Sequence, residues 1–487
     1  MDRLRHYLMA SAVWLFVDNV HHGTLSCTPA HLSHRHEKFA ENYSLPKKNM
    51  TVLLYAAARN NLLPFIDLNL AQLMQIGSND LITLLVHLNL MDPSGKEITL
   101  KFIIMKNKMI QIGEDTPCDS GNPETLIKAC NWAFGQFPSE HTVLILWNHG
   151  TGGVEPNWYR AINTSHLYTY NSETKLIEID KTIGFLDYLT RYNVTALRGI
   201  CFDDSTKNYL TNHQVGQALK TVRDTVLGGN PLDLVCCDAC LMQCLEFAYS
   251  LKPLHEKPVA RYMVGSQEVV LAKGYPYLDI FKKPSQRPYE AKELAEHIVQ
   301  QFGAFYLNIT RYCTHSAIDL SAIDDLYQAI NNIATLLIEG LHHQKNHSVY
   351  KFIAFCSAKD RCTHFAEPTY KDLHHLFLNM LKHLATIELE STSRTTTLQQ
   401  QLHEALNTTC ALIKKTVTAH IAGQVLQQAM GLSVYFPLES VHPSYPKTDW
   451  GKNSSWTELL YTIAQNHMEI STRNQDDKPP EYNNEIS

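Results

Sequence analysis

The stretch LILWNHG, residues 144–150, is an apolar run that stops at a histidine and a glycine. The stretch LDLVCCDAC, residues 232–240, is built the same way and stops at Asp238, Ala239 and Cys240. A cysteine nucleophile needs its thiolate, a proton donor for the leaving group and hydrogen-bond donors for an oxyanion. Cys240 can supply the sulfur and His149 the proton. Gly150 allows a close backbone approach, and its N–H can pair with that of Cys240 as an oxyanion hole. Asp238 is suited to cap a following helix, which would put Cys240 in that helix's first turn, where the dipole lowers a thiol pKa.

Each of these residues also has a plainer reading. Cysteine is often a small buried hydrophobe, which is the expectation for Cys236, Cys237 and Cys244. Cys237 and Cys240 form a C-x-x-C, but no second pair lies at zinc spacing, so a zinc or redox protein ranks third among the readings. A lone histidine at a strand end is usually structural. The coincidence of two blocks of one form is what points to chemistry, and the order His before Cys is that of caspase-like enzymes.

Two reactive groups at two strand ends need a frame that brings the ends together. MTVLLYAAA (50–58), DLITLLVHLNL (80–90), TVLILWNHG, LDLVCCDAC and RYMVGSQEV (261–269) read as strands buried on both faces. Between them, 62–77, 122–138, 211–222 and 241–251 have helical spacing, with Gly77 as a stop, Asn122-Pro123 as a start and Thr211 or Asn212 as another start. Residues 97–113 read as a hairpin-type addition. Strands alternating with helices indicate a mainly parallel sheet covered on both faces, with ligands at the strand ends. His149 and Cys240 should therefore share one edge.

The remaining chain divides as follows. Residues 1–27, with Arg3 and Arg5 before an apolar stretch from Tyr7 to Val17, read as a signal peptide or leader. Residues 28–49 are a polar linker. The catalytic domain runs over 50–284, with a polar excursion at 151–197. Residues 285–465 are mainly helical with a late strand at 430–437, and 466–487 form a disordered tail.

The chain has 487 residues, 44% hydrophobic and 18% charged, with a formal charge of −6. That is ordinary for a globular protein and argues against nucleic-acid binding. Apart from the short leader, no segment is apolar enough to span a membrane. The 25 histidines are scattered and read mostly as surface residues, and the 12 cysteines as mostly reduced thiols. Triplets of the form N-x-S/T, such as those at Asn163 and Asn308, matter only in a host that glycosylates.

The blocks TVLLYAAARNNL, GNPETL, LILWNHGTGG, CFDDSTKNYLTNHQVGQAL, DLVCCDACLMQCLEFAYSL, YMVGSQEVVLAKGYPY and GLSVYFP, in this order, resemble the clostripain family of cysteine peptidases. The resemblance runs from about 50 to 465. It implies a caspase-like three-layer α/β/α sandwich and a largely helical C-terminal region. It also implies a His149–Cys240 dyad and cleavage of peptide bonds after Arg or Lys. Some members depend on calcium, and several cut themselves between the dyad residues, where Lys175 and Lys181 are the candidate targets. No cofactor is required by the dyad itself.

A basic substrate side chain needs a facing carboxylate. Asp238 is the first candidate, with the helix cap as its competing role. Glu268 is the second, because the resemblance places its stretch along the pocket wall. Lys273 lies where an acid would help and tells against basic specificity. Asp203, Asp204 and nearby Ser205 form an acidic turn open to calcium, for which a solvated loop before a helix is the commoner explanation. The expected partners are protein or peptide substrates of a monomeric chain, secreted or periplasmic, otherwise cytoplasmic. The rival from another class is a non-catalytic binding protein of the same fold.

Overall fold

The computed structural model describes residues 47–92, 94–113, 116–153, 168–174, 176–179, 199–390 and 397–476. All of them lie in one compact unit, Lys38–Ser487. The leader, most of the linker, Lys175, Lys181, Asn163 and the end of the tail fall outside the described residues.

The frame is one nine-stranded sheet. Its strands are β1 (Lys48–Ala57), β2 (Ile82–Met91), β3 (Glu97–Met105), β4 (Lys108–Gln111), β5 (Ser139–Trp147), β6 (Leu232–Asp238), β7 (Ala260–Gly265), β8 (Thr314–Asp319) and β9 (Val417–Ala422). Their spatial order is β9-β8-β7-β6-β5-β1-β2-β3-β4. The middle five, from β7 to β2, are parallel. The pairs at both edges are antiparallel.

The burial of the parallel strands explains their sequences. All seven residues of β6, most of β1 and β2, and the last six residues of β5 are buried. A strand buried on both faces has no solvent side to alternate with, so it reads as an unbroken apolar run. Helices must then cover both faces, giving the α/β/α sandwich. The expected hairpin is β3–β4, turned through Asn107 at φ 61°.

The helices follow their caps. Leu63–Ile76 ends at Gly77, whose φ of 69° suits a residue without a Cβ. The Asn122 side chain accepts the Glu124 N–H at 2.9 Å and starts Pro123–Cys130, and a π-helical turn at Asn131–Gly135 continues it. Thr211 and Gln214 form a reciprocal capping box for Asn212–Thr225.

The C-terminal stretch differs from expectation in two places. It is rich in helices, including Ala291–Tyr306, Ile323–His342 and Leu398–Thr416. It also supplies β8 and β9 to the central sheet, as a short polar strand and a half-exposed edge strand that carry no apolar run. The late strand shortens to Ser433–Tyr435, paired with Tyr370–Asp372. The last helix, Trp456–Asp476, carries order past residue 466, where a tail was expected.

Several histidines lie inside instead of on the surface. His87, His149, His297, His315 and His374 are all buried. His315, for example, stacks on Phe302 with ring centroids 4.2 Å apart and bonds the Tyr275 hydroxyl at 3.0 Å.

Candidate active site

Strands β5 and β6 are neighbours, in register from Leu234 opposite Val143 to Asp238 opposite Trp147. Their parallel course carries both chain ends to one edge of the sheet. The Asn148 N–H donates to the Asp238 carbonyl at 3.3 Å, beyond the last paired residues. His149 and Cys240 then line one narrow cleft of about 20 Å³, with Leu62, Trp147, Asn148, Asp238, Ala239, Val270, Leu271, Ala272 and Gly274. The juxtaposition expected from the two strand ends is present.

Cys240 does not sit in a helix. The chain leaves β6 through a turn at Ala239–Leu241, and the next helix spans only Leu245–Leu251, with Cys244 at its cap. Asp238 therefore caps nothing. Leu241, directly after the cysteine, has φ 61°, a left-handed conformation that costs a side-chain-bearing residue about 1 kcal/mol or more. The turn is held by the Leu241 N–H to the Glu268 carbonyl at 3.3 Å and the Gln243 N–H to the Ser266 carbonyl at 3.0 Å.

The helix dipole expected to lower the thiol pKa is thus too distant to act. Burial instead pushes the Cys240 thiol up to about 12, although a hydrogen bond from Val270 N–H to Sγ, at 3.2 Å, works the other way. The thiol donates back to the Val270 carbonyl at 3.7 Å. Burial likewise pulls His149 down to about 4. Both groups are neutral at pH 7 in this conformation. The His149 Nε2 lies 2.6 Å from Asn61 Oδ1.

Gly150 has no room for a side chain. A Cβ there would lie 2.5 Å from the Cys240 carbonyl oxygen, 2.7 Å from Met242 and 3.0 Å from Ala239. The glycine lets the β5 end press directly onto the cysteine-bearing turn. The next residues are held as tightly: the Tyr370 hydroxyl accepts the Gly153 N–H at 3.0 Å and donates to the Thr151 carbonyl at 3.1 Å. A Cβ on Gly153 would meet the buried Glu246 carboxylate at 2.6 Å.

Asp238 lines the cleft and is 4% exposed. Its Oδ2 accepts from Tyr277 Oη at 2.8 Å and from Tyr275 N–H at 3.0 Å. Burial raises its pKa to about 6, against the pull of these two donors. Glu268 is fully buried, and its Oε1 accepts from the N–H groups of Ala366 at 2.8 Å and Val269 at 2.9 Å. From that stretch the cleft is lined by Val270, Leu271 and Ala272, not by Glu268. The Lys273 carbonyl accepts from Asn69 Nδ2 at 3.0 Å, and Asn69 Oδ1 accepts the Trp147 indole N–H at 2.9 Å, which ties this loop to β5.

The acidic turn is not a solvated loop at Asp203. That residue is buried, and its carboxylate takes Arg59 Nη1 at 3.2 Å, the Ser120 hydroxyl at 3.2 Å and the Ser205 hydroxyl at 2.6 Å. Its oxygens anchor the fold. Asp204 borders a separate surface pocket with Arg59 and Asn60, and burial raises its pKa to about 6. Among the described residues no group of three or more His, Cys, Asp or Glu side chains converges as a metal site. The cysteines among them are all free thiols.

A model of the clostripain family matches residues 170–458, a span that includes Asp238 and Cys240 and begins after His149. The chain belongs to the clostripain family. Clostripain of Hathewaya histolytica is 23% identical over 263 residues, 48% of this chain and 42% of that protein. The chain thus spans less than half the length of this relative. A secreted C11 cysteine protease from Bacteroides thetaiotaomicron, solved with an irreversible peptide inhibitor, superposes with a TM-score of 0.52 at 15% identity, covering 85% of this chain and 99% of that one. A second structure of a secreted C11 protease of that organism gives 0.51 at 15%, covering 84% and 99%. These likenesses establish the fold.

Residues that sequence reasoning missed include Asn61, Val270, Tyr275 and Tyr277. The signal for Asn61 was present in RNN directly after a buried strand, at the end where ligands bind.

Proposed function

We propose that the chain is a cysteine endopeptidase in which Cys240 and His149 form the catalytic dyad. The observation that carries this reading is their delivery, by neighbouring parallel strands, to one cleft. The resting pair is neutral, so a substrate must first displace Val270 from the sulfur. The Cys240 proton then moves to His149 and the thiolate attacks the peptide carbonyl. The amides of Gly150 and Cys240 meet the oxyanion. As the C–N bond breaks, His149 returns its proton to the departing amine, and water then releases the acyl-enzyme.

We place cleavage after Arg or Lys, with Asp238 as the carboxylate that receives the basic side chain. The Tyr277 hydroxyl and the Tyr275 N–H both donate to Oδ2 of Asp238, and no bond falls on Oδ1 among the described residues. Self-processing at Lys175 or Lys181, export after removal of residues 1–27, and action as a monomer complete the reading. Calcium dependence is carried over from the family resemblance alone. Secretion of the Bacteroides thetaiotaomicron proteases supports export, and among the described residues no helix is long and apolar enough to cross a membrane.

The test is turnover of fluorogenic Arg, Lys and Asp peptides by the wild type, Cys240→Ala and Asp238→Asn. The account expects Cys240→Ala to be inert and Asp238→Asn to lose its preference for Arg. Equal turnover by Cys240→Ala contradicts it. The neutral, closed dyad is the one observation favouring a non-catalytic binding protein. That reading predicts no turnover and no reaction with a thiol-alkylating peptide.

A further inference from the structure

We infer that Asn61 is a positioning residue that fixes the tautomer of His149, so that Nδ1 is the nitrogen that exchanges protons with Cys240 and the leaving amine. The inference rests on the peptidase reading and adds the direction in which the imidazole works.

The loop after β1 carries RNN at 59–61. Arg59 and Asn60 both look inward. Arg59 bonds Asp203 at 3.2 Å, and Asn60 Nδ2 donates to the carbonyls of Ala57 at 2.8 Å and Phe202 at 3.1 Å. The neighbouring strand end uses the same carbonyls, since Asn148 Nδ2 donates to Ala57 at 2.5 Å and to Phe202 at 3.2 Å. These bonds fix the loop after β1 to the end of β5. Asn61, the next residue, is exposed at the rim, and its Oδ1 lies 2.6 Å from His149 Nε2.

An amide oxygen only accepts hydrogen bonds, so Nε2 must carry the hydrogen in this contact. The neutral ring then has its lone pair on Nδ1. When the Cys240 S–H proton transfers to Nδ1, the ring becomes imidazolium and the Nε2–H stays on Asn61. When the peptide C–N bond breaks, the Nδ1 proton goes to the amine and the ring returns to its starting tautomer. Proton and charge balance at each step. The amide dipole also faces the positive charge that forms on the ring, which favours the state in which the thiolate exists.

The other titratable groups that line the cleft with the ring are Cys240 and Asp238, from the β6 end. Among the described residues neither is hydrogen-bonded to the His149 ring, which leaves Asn61 as its orienting contact.

The experiment compares the full chain with Asn61→Ala, Asn61→Asp and Cys240→Ala on a fluorogenic peptide cleaved by the wild type. Cleavage by the wild type and none by Cys240→Ala establishes the dyad first, so failure there is failure of the peptidase reading and not of this one. Asn61→Ala is expected to lower kcat roughly 10- to 100-fold with KM little changed, the scale of a misplaced general acid. Asn61→Asp is expected to restore most of kcat and to raise the acid limb of the pH profile by about one unit, because a carboxylate stabilises imidazolium. Thermal midpoints should match the wild type, since the side chain is exposed. An Asn61→Ala enzyme with unchanged kcat overturns the inference. So does a loss expressed only in KM, or an Asn61→Asp enzyme that neither recovers kcat nor shifts the profile.

Discussion

Gly150 was expected to matter through its amide. The structure adds a steric reason, because any side chain there collides with the Cys240 carbonyl at 2.5 Å. That oxygen is backbone in a turn already holding a left-handed Leu241, so it has little freedom to yield. Gly150→Ala is expected to cost about 1–3 kcal/mol of stability, the scale of overpacking, and to lose most activity by moving the sulfur. Urea denaturation and kcat/KM on the same preparation check this. An active, stable variant would show that the turn yields freely. At this scale the sequence was informative about residue types and poor about environments. His149, Gly150 and Cys240 stand out as a pattern. That burial sends the thiol to about 12 and the imidazole to about 4 follows from tertiary packing, in which Val270, 30 residues along the chain, bonds the sulfur.

The elements divide into those whose sequences announce them and those that need a partner. The parallel strands are legible because burial on both faces leaves mostly apolar residues. The capped helices at Pro123–Cys130 and Asn212–Thr225 are legible because their first residues bond locally. The strands β8 and β9 are not, because THSAID and VTAHIA gain their strand form from antiparallel register with a sheet already built. The helix after Cys240 was misplaced for a related reason: LMQC has helical residues but is held in a turn, with Leu241 left-handed, by bonds to Ser266 and Glu268. Tertiary contacts also decide the role of Asp203. It joins the loop after β1 to the strand Ile200–Asp203 through Arg59, a buried ion pair in which Glu97 at 3.3 Å is the second carboxylate. Asp203→Ala would leave Arg59 with half its compensation, and a loss of about 3 kcal/mol is expected. A shift in the denaturation midpoint measures it, and no shift would mean that Glu97 alone neutralises the guanidinium.

For the whole molecule, the buried titratable groups set a pH dependence of stability. Burial lowers His87 and His315 to about 3 and His149 to about 4 from 6.5. Each binds its proton more readily when unfolded, so each removes stability as pH falls from 6.5 toward 4. Burial raises Asp238 and Asp372 to about 6 from 3.8. Each of these binds its proton more readily when folded and opposes the loss as pH falls from about 6 toward 4. With His374 also lowered to about 4 and Asp204 also raised to about 6, the larger histidine shifts still outweigh the carboxylate shifts, so the denaturation midpoint is expected to drop between pH 7 and pH 4.5. A midpoint that rises over that range contradicts these assignments. The central sheet holds the dyad, and the central claim is that two of its strand ends form one reactive site. The most direct measurement is covalent labelling by an arginyl chloromethyl ketone peptide, read by intact mass and peptide mapping for the wild type and His149→Ala. The account predicts a single adduct on Cys240, formed at least about 100-fold more slowly in His149→Ala. Labelling at another cysteine, no labelling at all, or equal rates in the two proteins would contradict it.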